Sequence, residues 1–225
     1  MNLLAFETSS TLGSVALETA AGLEVRELGI PREQTERLLR ITDELLSAAG
    51  IEVRSLDGIA FGRGPGSFTG LRVSVAVAQG LGLASGVPLL PVSSLLCLAE
   101  RAWQEVRCER ALVCVDAHMG EVYWARAALR GDAVEIVGDE RLGAPADVAP
   151  PEASPWCAVG NGFAAYSDAL AGVTRAAAKV LPELKPWAAA LLPRAKRDLK
   201  AGRATPPAAA LPVYLREQTA WRRSS

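Results

Sequence analysis

Residues 62–72 read GRGPGSFTGLR, a stretch with four glycines and one proline in eleven positions. A short strand predicted at residues 57–61 precedes it, and a helix predicted at residues 71–85 follows it. Strand, glycine-rich loop and helix in this order are the context in which a helix N-terminus binds phosphate. The same order also suits a tight turn that serves a packing surface. The residue types in the loop distinguish between these two interpretations.

The loop does not match the common phosphate-binding motifs. A P-loop ends in Gly-Lys-Ser/Thr, whereas residues 69–72 read Thr-Gly-Leu-Arg, without a lysine. The dinucleotide fingerprint also fails, because Ser67 or Thr69 stands where its third glycine belongs. We therefore expect a structural loop in which a tight turn precedes a helix capped by Ser67 or Thr69. That loop comprises Gly64, Pro65, Gly66, Ser67, Phe68, Thr69 and Gly70.

The helix after the loop is apolar nearly all round. The chain carries no charge from Val73 to Ala99, but glycines, prolines and serines interrupt this stretch, so we expect no membrane helix. Each glycine inside a helix costs about 1 kcal/mol relative to alanine, which favours close approach of another backbone. Internal packing and docking of a partner both remain open. With a second helix predicted at residues 34–49, the candidate partner contacts are Leu38, Leu45, Arg72, Val73, Val77, Gly80 and Ala84.

Alternation and turn signals predict an α/β chain of two lobes. The first lobe is expected at residues 1–106 and carries the partner-binding helices; the second is expected at 107–225, and its final helical segment is a candidate to return to the first. Two β-meanders are predicted, one in each lobe, and the Ala-rich region beyond Gly160 is predicted to be helical. The predicted strands are residues 3–7, 14–18, 23–28, 57–61, 88–92, 111–116, 121–128 and 133–137.

Charge and cysteine content limit the classes of function. The chain has 24 Lys and Arg against 25 Asp and Glu, so no overall field attracts nucleic acid or an anionic membrane. The basic segment from Arg194 to Arg203 is interrupted by Asp198, and we expect a solvated helix face there, with tRNA binding as the alternative. The four cysteines show no CxxC spacing, and three of them lie in apolar surroundings typical of buried reduced thiols, which predicts a cytoplasmic protein.

Candidate catalytic residues are few. His118 is the single histidine, so a metal site with two histidines is excluded, and Asp116 and Glu121 beside it are expected to be structural. Glu7 and Thr8 follow the first strand and are candidates for a vestigial nucleotide cleft. We therefore expect no catalytic residue, metal or cofactor on this chain. The alternative is an actin-like ATPase or phosphotransferase that uses Glu7, Thr8 and the glycine loop.

Several motifs together resemble one family. LLAFETSSTLGSVAL, DGIAFGRGPGSFTGLRVSVAVAQGLG, PVSSLLCLA, VDAHMGEVYWA and PVYLR are similar to the bacterial TsaB (YeaZ) family, and the resemblance extends from Leu3 to Arg216. The sequence departs from that family at Gln34-Thr35, where a His-Ser pair is common, at Glu7, where Asp is common, and at His118, where Arg is common.

The resemblance implies an actin-like (ASKHA) fold, in which each lobe is a ribonuclease H-like mixed sheet with helices. It implies a scaffold role in tRNA threonylcarbamoyladenosine modification, beside a catalytic TsaD paralogue and the ATPase TsaE, which would hold the ATP and the metal. It further implies pairing through the two helices of the first lobe, as a homodimer in isolation or with TsaD. Contact with tRNA is then expected only in the assembled complex.

Overall fold

A computed structural model describes residues 1–29 and 33–216, and contacts divide the chain into two compact units. Unit 1 comprises residues 1–94 and 186–213, and unit 2 comprises residues 95–185 and the segment that begins at Tyr214. Within the described residues, the helices are α1 (Gln34–Ala49), α2 (Phe68–Ser85), α3 (Ser94–Val106), α4 (Gly162–Ala165), α5 (Ala171–Ala176) and α6 (Leu192–Lys200).

The described part of unit 1 contains one mixed sheet. Its strands are β1 (Leu3–Glu7), β2 (Gly13–Thr19), β3 (Gly22–Gly29), β4 (Gly58–Gly64) and β5 (Leu89–Ser93). They lie in the order β3-β2-β1-β4-β5, with the first three antiparallel, as predicted, and with β4 and β5 parallel to β1. Because β1 is the central strand, all five of its residues are buried.

Helices α1 and α2 cover one face of this sheet. Leu4 and Phe6 of β1 belong to the same buried cluster as Leu38 of α1 and Val75 of α2. Alternating residues of a strand point to opposite faces, so this cluster lies between the two helices and one side of the sheet. The glycine predicted to stop α1, Gly50, adopts a left-handed conformation with φ 65° and caps the helix.

Unit 2 repeats the topology of unit 1. Its described strands are β6 (Arg110–His118), β7 (Glu121–Arg130), β8 (Ala133–Gly143), β9 (Cys157–Val159) and β10 (Lys179–Leu181). They lie in the order β10-β9-β6-β7-β8. An antiparallel meander is again extended by two strands parallel to its first strand. The meander was predicted, although β8 runs six residues beyond its predicted end at Val137.

The prediction of a mainly helical region beyond Gly160 is wrong in part. This region contains β10, and its described α-helices are short, at four residues for α4, six for α5 and nine for α6. Strand β9, which immediately precedes it, was also not predicted. Strands of three residues are too short to show the alternation that identifies a half-buried strand.

The expectation of buried reduced thiols is wrong for two of the four cysteines. Cys108 and Cys157 form a disulfide, with 6.3 Å between their Cα atoms, whereas Cys97 and Cys114 are buried and form no disulfide among the described residues. Strands β6 and β9 are neighbours, and Ala111 lies opposite Cys157 in their parallel register. This strand pairing brings together two cysteines that are 49 residues apart in the sequence.

No helix among the described residues has the length and apolar character needed to span a membrane.

Candidate functional site

The glycine-rich turn is hydrogen-bonded to other residues of the same chain. The Ser67 amide donates a hydrogen bond to the Ser9 carbonyl at 2.7 Å. The Gly70 amide donates to the Ser67 hydroxyl at 3.3 Å, so Ser67 is the N-cap and α2 begins at Phe68, three residues earlier than predicted. Two amide groups at this helix start, those of Ser67 and Gly70, are thus directed to protein oxygens.

Two glycines of the motif allow segments of the same unit to approach closely. A Cβ added at Gly70 would lie 1.8 Å from the Thr8 carbonyl oxygen. A Cβ added at Gly62 would lie 2.2 Å from a carboxylate oxygen of Glu7. A Cβ atom cannot lie this close to a non-bonded oxygen atom, so any other residue at these positions would clash. The two glycines therefore allow the turn to pack against the end of β1.

Glu7 and Thr8, the candidates for a nucleotide cleft, are fully buried. The Glu7 carboxylate accepts hydrogen bonds from the Ser9 amide at 2.6 Å and from the Ser94 hydroxyl at 3.1 Å. The Thr8 hydroxyl donates to the Gly70 carbonyl at 2.7 Å. Burial raises the pKa of the Glu7 carboxyl above its ordinary value, although the hydrogen bonds from Ser9 and Ser94 oppose this rise. Thr8 therefore joins the end of β1 to the glycine turn, and Glu7 joins it to the start of α3.

Helix α2 has two different faces. Its inner face packs into unit 1 through Gly70, Leu71, Ser74, Val75, Ala78 and Gly82, all of which are buried. The opposite side, which we call the outer face, is exposed and consists of Arg72, Ala76, Gly80, Leu83 and Ala84. At 100° per residue these five positions fall within about 120° of the helix circumference. Val73 and Val77 flank the outer face and are partly buried against the core.

Gly80 lies at the centre of the outer face. A Cβ added there would meet nothing within 4 Å, whereas one added at Gly82, two residues later, would lie 2.9 Å from the Pro207 side chain. The chain's own packing therefore accounts for Gly82. It gives no reason for a glycine at position 80, where alanine would favour the helix.

Two predicted partner contacts on α1 lie elsewhere. Leu38 is 0% exposed and Leu45 is 4% exposed, because both belong to the core beneath α1 and α2. They pack beneath the two helices, and almost none of their surface is accessible to a partner. The apolar residue that α1 does expose is Leu39, at 53%. Periodicity identified the helix, but the choice between adjacent leucines required the position of the sheet.

Phe68 is an exposed residue that the sequence reasoning assigned only to the loop. Its ring is 50% exposed and stacks under the Arg72 guanidinium, 3.7 Å from the ring centroid. Leu83, at the other end of the outer face, is 67% exposed and was not predicted as a contact. The outer face is thus preceded by the large side chain of Phe68 and carries that of Leu83 near its end, with the small residues Ala76 and Gly80 between them. Aromatic residues and arginine are enriched at protein interfaces.

The polar residues around His118 form a supported hairpin turn in unit 2. Asp116 accepts hydrogen bonds from the His118 amide at 2.8 Å and from the Tyr166 hydroxyl at 2.9 Å. The bond to Asp116 raises the pKa of Tyr166. Arg216 donates to the Ala117 carbonyl at 2.9 Å, so two motifs far apart in sequence, VDAHMGEVYWA and PVYLR, meet at this turn. His118 itself is 87% exposed in its side chain.

Three of the five cations of the basic segment form ion pairs within unit 1. Arg194 and Arg203 both pair with Asp198, at 2.7 and 2.8 Å. Lys196 pairs with Glu18 at 2.5 Å. These contacts direct three of the cations toward carboxylates of their own unit. They weaken the alternative in which this segment binds tRNA.

The described residues hold no group of three or more His, Cys, Asp or Glu side chains placed to bind a metal ion. Cys114, beside Asp116, is also poorly suited to act as a nucleophile, because burial raises the pKa of its thiol to about 12.

The repeated topology defines a class of protein. Each unit is an antiparallel meander extended by two parallel strands, with the same strand order in both. Two such ribonuclease H-like units in one chain make this an actin-like (ASKHA) protein with a two-lobed α/β fold.

Comparison with known proteins identifies the family within this class. A family model described as "TsaD: tRNA N6-adenosine threonylcarbamoyltransferase" matches residues 30–220. The Escherichia coli K12 "tRNA threonylcarbamoyladenosine biosynthesis protein TsaB" is 34% identical over 235 aligned positions, which cover 99% of this chain and 98% of that protein. The Haemophilus influenzae protein of the same name is 36% identical over 74% of this chain and 75% of its own length.

A crystal structure from Pseudomonas aeruginosa agrees with these relatives. The protein, described as similar to peptidase YeaZ, is 37% identical, with a TM-score of 0.87 over 96% of this chain and 99% of that one. The chain therefore belongs to the TsaB family, within the wider group that the TsaD model describes.

Proposed function

We propose that this chain is an accessory, non-catalytic subunit in the biosynthesis of threonylcarbamoyladenosine in tRNA, and that it acts by binding a TsaD chain through the outer face of α2. In the absence of TsaD, the same face pairs two copies of this chain. TsaE joins the assembled complex in the cytoplasm, and tRNA is bound only there. The names of the E. coli and H. influenzae relatives support the pathway, and the surface of α2 supports the role.

The observation that carries this proposal is the exposed outer face itself. Small residues in its middle, above all Gly80, allow another helix to approach closely, and no residue in the described part of unit 1 occupies the space beside Gly80. Large apolar side chains at both ends, Phe68 and Leu83, provide contact area that water covers in the isolated chain. An apolar helix surface of this kind is typical of a protein interface.

The candidate nucleotide site gives less support to an independent enzyme. The Glu7 carboxylate is fully buried and accepts two hydrogen bonds from its own unit, so binding magnesium or phosphate there requires these contacts to break. Titration calorimetry of the isolated chain with ATP and magnesium tests the alternative directly. We expect no stoichiometric binding, and tight binding of one ATP per chain would favour the phosphotransferase instead.

Pairing is tested with two matched substitutions, Gly80→Glu and Gly172→Glu. Both glycines lie in helices, and a Cβ added at either meets nothing within 4 Å, but Gly172 belongs to α5 of unit 2. A carboxylate forced into an apolar interface loses its hydration without gaining a partner. We expect Gly80→Glu to weaken binding to the cognate TsaD at least about 10-fold, and Gly172→Glu to bind like the wild type.

Size-exclusion chromatography and calorimetry with purified TsaD provide the measurement. Equal binding by both variants would place the interface elsewhere, and separate elution of the wild-type proteins at micromolar concentration would remove the proposal. In cells depleted of this protein, mass spectrometry of tRNA nucleosides tests the pathway. Wild type and Gly172→Glu should restore the modified nucleoside, and Gly80→Glu should not.

A further inference from the structure

The disulfide in unit 2 is a feature that the proposed function does not use. Cys108 lies between the end of α3 and the start of β6, and Cys157 is the first residue of β9. Their bond joins the beginnings of two neighbouring parallel strands. Both residues are nearly buried, at 7% and 8% exposure.

The strands that the disulfide joins are also held by other contacts. Three consecutive residue pairs connect β6 and β9, from Ala111 opposite Cys157 to Val113 opposite Val159. Leu112 of β6 and Ala158 of β9 belong to the buried cluster of unit 2, together with Trp124 and Phe163. Because the ladder is a backbone pairing and this core does not include either cysteine of the disulfide, we expect the reduced chain to keep its fold. The bond then adds stability by restricting the unfolded chain over a 49-residue separation.

We propose that Cys108 and Cys157 form a reversible redox site, which a low-molecular-weight disulfide such as oxidised glutathione converts from two thiols to one disulfide. One cysteine thiolate attacks the glutathione disulfide, forms a mixed disulfide and releases one glutathione. The second cysteine attacks the protein sulfur of that mixed disulfide and releases the other glutathione. The two protein thiols are oxidised by two electrons, the glutathione disulfide is reduced, and the two thiol protons end on the two released glutathione molecules.

The remaining cysteines provide internal controls. Cys97 and Cys114 are buried and lie outside the disulfide. The high pKa of the Cys114 thiol, about 12, keeps it protonated and slow to react. Oxidation is therefore expected to be confined to the Cys108 and Cys157 pair.

Redox titration of the full chain tests the proposal. The protein is equilibrated without oxygen in buffers with different ratios of reduced to oxidised glutathione, quenched with acid, alkylated and analysed by mass spectrometry. We expect a single transition in which two of four cysteines lose alkylation, with one peptide pair linking Cys108 to Cys157. Four alkylated cysteines at every ratio would overturn the proposal, as would a bond that dithiothreitol fails to reduce in the folded protein.

Thermal unfolding of the two forms gives a second measurement. For a loop of this length we expect the oxidised form to melt on the order of 10 °C higher than the reduced form. The double variant C108A/C157A should melt like the reduced wild type and should not respond to glutathione, whereas Cys97→Ala should keep the full shift. An unchanged melting temperature in the wild type would contradict the inference. Binding to TsaD is expected to be equal for both redox forms, because the outer face belongs to unit 1.

Discussion

Gly70 and Gly80 lie in the same helix, and their surroundings are opposite. A Cβ at Gly70 would lie 1.8 Å from the Thr8 carbonyl oxygen, and a Cβ at Gly80 would meet no atom within 4 Å. Gly70 is needed so that the turn can pack against β1. Gly80 is exposed and lowers the stability of the helix, and no contact among the described residues offsets that loss.

This difference shows that one glycine-rich pattern serves two purposes. The inner face of α2 brings the helix into its own core, and the outer face leaves a shallow apolar surface for another molecule. The two purposes predict substitutions with opposite consequences, since changes on the inner face should alter stability and changes on the outer face should alter association.

Gly70→Ala is expected to have the largest effect. The added methyl group meets a backbone oxygen, which can move only if the end of β1 moves with it, so we expect a loss of more than about 3 kcal/mol and largely insoluble protein. Chemical denaturation of any soluble fraction provides the measurement. The exposed neighbour variant Thr69→Ala should stay within about 0.5 kcal/mol of wild type. A stable Gly70→Ala protein would mean that the Thr8 carbonyl has room to move.

Leu38→Ala and Leu39→Ala compare the two sides of α1. Leu38 is fully buried, so its truncation leaves a cavity and should lower the free energy of unfolding by about 2–4 kcal/mol. Leu39 is 53% exposed, and its truncation should change that free energy by less than about 0.5 kcal/mol. Urea unfolding curves of the two variants decide the matter. Equal losses would show that Leu39 is covered in solution.

Glu7 gives unit 1 a predicted pH dependence. A carboxyl whose pKa is higher in the folded chain holds its proton more tightly there, so its contribution to stability is present below the unfolded pKa and is lost as pH rises through the folded pKa. For Glu7 this pH range begins at the ordinary pKa of 4.5 and ends at the raised pKa of the folded chain. The slope cannot exceed about 1.4 kcal/mol per pH unit, the value for one proton.

Glu7→Gln removes this titration and keeps the shape of the side chain. Between pH 4.5 and the raised pKa, the stability of the wild type should therefore fall more steeply with pH than that of the variant. Thermal unfolding at a series of pH values measures both slopes. Parallel curves would show that the Glu7 carboxyl has the same proton affinity in the folded and unfolded chain.

Much of the fold could be predicted because it depends on local patterns. The meanders follow from alternating residues, and α1 follows from its helical spacing and the stop at Gly50. Residues that depend on tertiary position were not predictable in the same way. Leu38 and Leu39 are adjacent and chemically identical, and only the sheet beneath α1 makes one buried and the other exposed.

The candidate site shows the same limit. The sequence identified α2 as a helix with an unusual surface, but the buried positions of Gly70 and Gly82 and the open position of Gly80 depend on which segments of unit 1 contact the helix. The disulfide was missed for a related reason. Cys108 and Cys157 meet only because β9, a strand of three residues, pairs in parallel with β6.

Gly80→Ala is the smallest change and the most direct test of the comparison. The methyl group has open space, and alanine favours the helix by about 1 kcal/mol, so we expect the isolated chain to become more stable by about that amount. The same methyl group should hold a partner helix farther away, so binding to TsaD should weaken although the fold is strengthened. Denaturation and calorimetry on one preparation measure both effects. A variant that gains stability and binds TsaD as tightly as the wild type would contradict the reason we give for this glycine. A gain in stability together with a loss of binding would explain why the helix has a glycine that its own fold does not need.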